Sequence, residues 1–154
     1  MAFWLMKTEP DGFSLNDLIK CHDQTTFWEG VRNYQARNFM RDTMQVGDGV
    51  LFYHSSTSPS AVVGTAKIRQ GARPDPTQFD PKSQYYDAKA TPKSPRWFVV
   101  GVKYQQTFNT PVTLSMIRST PRLAEMLVIK KGMRLSIQPV TQQQWEIVSV
   151  MGMA

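Results

Sequence analysis

The sequence is poor in the residues that carry metal and thiol chemistry: its 154 residues include one cysteine, Cys21, and two histidines, His22 and His54. A single thiol forms no disulfide within the chain, which fits a reducing compartment. Three soft or imidazole donors, two of them adjacent, do not supply the spaced ligands of a zinc site, so no metal and no cofactor is expected. Adjacent positions also point apart on a helix or strand, so Cys21 and His22 do not make a nucleophile and its base. Cys21 is expected to pack near a helix end. No stretch approaches the roughly 18 apolar residues of a membrane span, and residues 1–7 are too short a run for a secretory signal. A cytoplasmic location is the resulting expectation, nuclear in a eukaryotic host. Absent too are a glycine-rich phosphate loop, regular strand–helix alternation and internal repeats, which argues against a doubly wound nucleotide-binding sheet. Acidic charge is in the minority, with 18 Lys and Arg against 12 Asp and Glu for a net charge of +6. Residues 1–30 run against that balance, so the positive excess lies beyond them and favours an anionic partner.

What is present suffices for one core. A hydrophobic content of 41% in a chain of this length predicts a single domain over residues 1–154 that folds as a monomer. Phe3-Trp4-Leu5-Met6 reads as a first strand, buried on both sides or closing one edge of a barrel. Ser14 and Asp17 form a capping-box pattern ahead of Leu15, Leu18 and Ile19. Asn33 is placed to cap a second helix running to about Met44, with Ala36, Phe39, Met40 and Met44 on its buried stripe. The runs from Val50 to Ser55 and from Ala61 to Ile68 make a hairpin with a long loop. Residues 70–95 hold five of the ten prolines and read as an irregular loop, ordered if Phe79, Tyr85 and Tyr86 dock. Strand character returns from Trp97 to Tyr104. Helices are expected around Thr113–Ile117 and Pro121–Ile129, a late strand over Arg134–Val140, and a capping box at Thr141 and Gln144 before Trp145. Together these give an α+β fold of about five or six strands in a mixed, barrel-like sheet with interleaved helices.

Two clusters stand out chemically. Residues 28–38 place Trp28, Gly30, Tyr34, two arginines and several amides around one helix start. A planar base can stack on Trp28 or Tyr34 while amides bond its edge, and Arg32, Arg37 and Arg41 are suited to a phosphate or sugar backbone. The alternative is that the rings are core anchors and the arginines solvate a helix. The second cluster, Tyr53-His54-Ser55-Ser56, lies at the polar end of an apolar strand, where His54 and Ser55 can each donate or accept a hydrogen bond. Lys7 and Trp97 border strand ends and join the candidate set. Glu9, Asp11 and Glu29 show no spacing that establishes an acid/base pair, and no catalytic residue is assigned.

These residues also occur in an order that resembles the EVE-domain family, of the PUA-like group that includes YTH modules. The resemblance is carried by residues 4–10 (Trp-Leu-Met-Lys-Thr-Glu-Pro), by residues 28–38, by Gly47-Asp48 leading into Phe52-Tyr53-His54-Ser55, by Tyr86-Asp87, by Pro95-Arg96-Trp97 and by Arg134-Leu135-Ser136. It spans about residues 2–150 and implies a PUA-like pseudo-barrel with a pocket for a modified nucleobase, a modified cytosine in DNA or a methylated base in RNA. It further implies that Lys7, Thr8 and Glu9, then Trp28, Arg32, Asn33 and Tyr34, then Tyr53, His54 and Ser55 face that pocket, with Pro95-Arg96-Trp97 enclosing another side. The expected function is therefore non-enzymatic binding of nucleic acid. The competing readings are an enzyme acting on a nucleobase-containing small molecule through Glu9, Glu29 or His54, and a protein-interaction scaffold marked by an exposed apolar patch.

Overall fold

The computed structural model describes residues 1–154. Strand β1 (Phe3–Thr8) runs parallel to β3 (Gly49–His54) and antiparallel to β6 (Ile137–Val140). From β3 the chain turns back as β4 (Ala61–Pro74), the expected hairpin, and β4 pairs antiparallel with β5 (Phe98–Thr113). A three-residue strand, β2 (Thr25–Phe27), adds to the outer edge of β5. The order across the sheet is β2-β5-β4-β3-β1-β6.

Both faces of this sheet are covered. Trp4 and Met6 of β1 and Val50 and Phe52 of β3 point to one side, where they meet Leu15 and Leu18 of α1 (Leu15–Lys20) and Ala36 of α2 (Tyr34–Asn38). Leu5, Leu51 and Tyr53 alternate to the other side, against Ile117 of α3 (Leu114–Arg118) and Val148 of α4 (Gln142–Met153). Strands buried on both faces explain why β1 and β3 are apolar at successive positions rather than at alternate ones. Both capping boxes form: Ser14 with Asp17 starts α1, and Thr141 with Gln144 starts α4. Asn33 caps α2 by accepting from the Ala36 N–H at 3.0 Å. No helix is long and apolar enough to cross a membrane.

The expected pseudo-barrel is corrected: the sheet is open. Its end strands β2 and β6 each pair on one side only. β6 contains Pro139 opposite Trp4, and a proline without an N–H belongs on an edge strand, while β2 has only three residues to offer. Three local expectations also change. The second helix gives way after Asn38 to a π-helical turn over Phe39–Thr43. The segment 121–129 is two short 3₁₀ turns, Pro121–Leu123 and Leu127–Ile129. The irregular loop begins only after Pro74, because β4 keeps its pairing with β5 to that point through several register shifts.

Candidate functional site

The parallel pair β1 and β3 ends at Thr8 and His54, where the chain leaves the sheet on both strands. Ser55 closes this end by donating both its N–H, at 2.8 Å, and its hydroxyl, at 3.2 Å, to the Thr8 carbonyl. The turn after β1 is tied by the N–H groups of Gly12 and Phe13, both donating to the Glu9 carbonyl at 2.9 Å. Another part of the lining comes from Thr26 and Phe27 of β2 and from Trp28, which follows that strand. A cleft of about 550 Å³ opens between these segments. Lys7, Thr8 and Glu9 line one side with Phe13, Trp28 and Glu29 line another, and Tyr85 with Gln84 comes from the loop after β4.

Tyr85 reaches the cleft because Gly30 has no side chain. Gly30 sits at φ +82°, and a Cβ there would lie 2.6 Å from Tyr85 Cζ. The loop that carries Tyr85 is anchored by Asp75, whose carboxylate is fully buried and accepts from the Gly30 N–H at 2.9 Å, the Thr77 N–H at 2.8 Å and the Thr77 hydroxyl at 2.6 Å. Arg32 completes this knot, donating to Asp75 at 3.1 Å and to the Tyr85 carbonyl at 2.7 Å. Gln78, also fully buried, bonds the carbonyls of Asp75 and Trp97 and accepts from the Arg96 and Trp97 N–H groups.

The polar groups of the cleft itself are less well matched. The hydroxyl of Thr8 is buried and has no hydrogen-bond partner in the protein. Lys7 forms no ion pair, its ammonium lies 5.8 Å from the Tyr53 ring, and burial holds it below its ordinary pKa. Glu9 is exposed and accepts from the Ser56 hydroxyl at 3.3 Å. The site thus presents donors, an acceptor and flat apolar walls to a ligand with a polar edge.

The twelve candidates from the sequence separate into three groups. Lys7, Thr8, Glu9 and Trp28 line the cleft, although Trp28 is largely buried and packs edge-on against Phe52 with centroids 5.7 Å apart. Tyr53, His54 and Ser55 build the strand end behind it. Tyr53 is buried in the core, and His54 Nε2 accepts from the Leu15 N–H at 3.1 Å, so that nitrogen is engaged; burial lowers the imidazole pKa. Arg32, Asn33, Tyr34, Arg37 and Trp97 lie outside the cleft lining. Arg32 ties the loop, Asn33 caps α2, and Tyr34 stacks on Trp97 at 4.8 Å with Arg37 4.8 Å from its ring. Trp97 in turn donates its indole N–H to Asp87 at 2.8 Å. Sequence reasoning did not place Phe13, Phe27, Gln84 or Tyr85 in the cleft. Gly30 was the available signal for Tyr85, since a glycine between Trp28 and Arg32 marks a close approach.

An open mixed sheet with a two-sided core and a ligand-sized aromatic hollow at the end of its parallel strands defines the class of domain. The chain matches the EVE domain over residues 2–151 and belongs to the EVE-domain family. It is 40% identical to thymocyte nuclear protein 1 of Gallus gallus, covering 94% of this chain and 66% of that protein. It therefore spans just under two thirds of that relative's length. Among solved structures, the human THYN1 protein in complex with DNA containing 5-methylcytosine superposes with a TM-score of 0.91 at 35% identity, covering 100% of this chain and 99% of that one. A protein from Pseudomonas putida superposes with the same TM-score, 0.91, at 45% identity, covering 97% of this chain and 99% of that one. The relatives' name points to the nucleus, and the expectation of a cytoplasmic location is corrected on that finding.

Proposed function

We propose that this chain, acting as one domain, binds nucleic acid without reacting with it, by taking an unstacked modified base into the cleft between the end of β1 and Tyr85. The observation that carries this is the buried, unpartnered hydroxyl of Thr8 at the cleft wall. A buried polar group without a partner costs about 1–3 kcal/mol, and a bound ligand that supplies one recovers that cost. The cleft volume falls within the range of small-molecule sites. Lys7 offers up to three donors to ring acceptors, and the Glu9 carboxylate can accept from an exocyclic amino group, the pairing that suits cytosine. Similarity to the human protein solved with 5-methylcytosine-containing DNA supports a modified cytosine as the base.

Entry of a base requires unstacking, which costs a few kcal/mol in a duplex and less in a single strand. Contact with the aromatic walls returns roughly 1–3 kcal/mol. Titration of the protein with matched oligonucleotides, single- and double-stranded and carrying cytosine or 5-methylcytosine at one position, tests the reading. Tighter binding of the modified strand is the expected result. Equal affinity for both strands contradicts it.

A further inference from the structure

Outside the cleft lining, two guanidinium groups lie against Tyr34. Arg37 lies 4.8 Å and Arg96 5.8 Å from the Tyr34 ring, and Arg96 donates to the Tyr34 hydroxyl. Arg37 has no carboxylate partner. Its Nε and Nη2 donate to Asn38 Oδ1 at 3.1 and 2.8 Å, and its Nη1 donates to the Arg96 carbonyl at 2.9 Å. Arg41 Nη2 approaches that same Asn38 oxygen at 3.4 Å, so two cations share one neutral acceptor. Burial first, then repulsion from Arg41, lowers the Arg37 pKa.

We infer that Arg37 and Arg41, oriented by Asn38 and Tyr34, form a second site that grips the phosphodiester backbone of the strand whose base enters the cleft. The inference rests on the proposed function for the identity of that strand. Two like charges held together without a matching pair of carboxylates are stabilised by an anion. Arg41 does pair with Asp42, but the N–H groups on its Nη1 and the remaining ones on Arg37 are unused. Forked donors of this kind suit phosphate oxygens. Arg41 lies within the π-helical turn Phe39–Thr43, and such turns recur at functional sites. The stack of Tyr34 on Trp97, with Trp97 held by Asp87, fixes the platform to the loop that also carries Tyr85. Cleft and grip are thereby built on one frame.

A phosphate grip is blind to base modification and sensitive to salt. Arg37→Gln and Arg41→Gln, with melting temperatures recorded for both, are titrated with a short single-stranded oligonucleotide in unmodified and 5-methylcytosine forms between about 50 and 200 mM salt. Each variant is expected to weaken both forms by the same factor, roughly five- to tenfold, and to reduce the salt slope by about one. Arg41, exposed, supplies the test if Arg37→Gln melts early. Unchanged salt slopes in both variants overturn the inference, as does a loss confined to the modified form. Salt-dependent loss in both variants on a wild type that shows no preference for modification supports the grip and sets aside the base-reading proposal alone. Wild-type protein that binds neither oligonucleotide, yet captures an acidic polypeptide through Arg37, assigns the patch to a protein partner and overturns the inference.

Discussion

Around Asp75 nearly every polar atom meets a partner, whereas around Thr8 several do not. Asp75 is fully buried and receives bonds from Gly30, Thr77 and Arg32. Thr8 has a buried hydroxyl with no partner, beside a desolvated lysine with no counter-charge. The two regions are joined through Tyr85, whose carbonyl is bonded by Arg32 and whose ring lines the cleft. The contrast separates what builds the wall from what meets a ligand. Paired buried groups lose stability when one member is removed, whereas an unpaired group has little folding energy to lose.

The largest effect is expected at Asp75. Asp75→Ala leaves Arg32 unpaired and the Gly30 and Thr77 N–H groups without an acceptor, a loss of about 3–5 kcal/mol by denaturant unfolding. Burial works to raise the Asp75 pKa, but bonds from Thr77, Gly30 and Arg32 outweigh it and hold the carboxyl below its ordinary value. A carboxylate depressed in the folded state contributes stability above its unfolded value, and that contribution is lost as pH falls through the folded one. Unfolding free energy is therefore expected to fall below about pH 4, with Asp17, Asp23, Asp42 and Asp87 shifted in the same direction. In Asp75→Asn the acid fall becomes shallower; an unchanged acid profile removes Asp75 from the account.

Gly30→Ala comes next. It places a Cβ 2.6 Å from Tyr85 Cζ at a positive φ, for an expected loss of about 1–3 kcal/mol together with weakened ligand binding. Retained affinity in this variant would detach Tyr85 from the site. Lys7→Met acts on the other region. Its stability is expected within about 1 kcal/mol of wild type, because the ammonium it removes is desolvated and unpaired. Oligonucleotide affinity is expected to fall roughly tenfold.

The frame of this comparison was readable in part from the sequence. Ser14 with Asp17, Asn33, and Thr141 with Gln144 announce their helices because capping is local chemistry within four residues. The β3–β4 hairpin and the continuous apolar run of β1 were readable as well, because each is a pattern among neighbouring residues. Closure of the sheet was not, since it depends on whether two distant end strands meet, although Pro139 marks β6 as an edge. The strand β2 is too short to show a period. Within the site, Lys7, Thr8 and Glu9 could be placed because a strand exit leads directly to the cleft. Tyr85 could not, because it docks 55 positions away from Gly30 through bonds centred on Asp75. Trp28 and Tyr34 were read as facing one hollow, yet one packs on Phe52 and the other on Trp97, because the chain changes direction at Gly30.

The smallest expected change in folding is at Thr8, whose hydroxyl separates a role in the fold from a role in binding. Thr8→Val keeps the shape and removes the unpartnered hydroxyl. Unfolding free energy should stay within about 0.5 kcal/mol of wild type or rise, since no bond within the protein is lost, while affinity for a 5-methylcytosine oligonucleotide falls about tenfold. Destabilisation by more than 1 kcal/mol with affinity intact would show that the hydroxyl serves the fold and that the cleft is not a base-binding site.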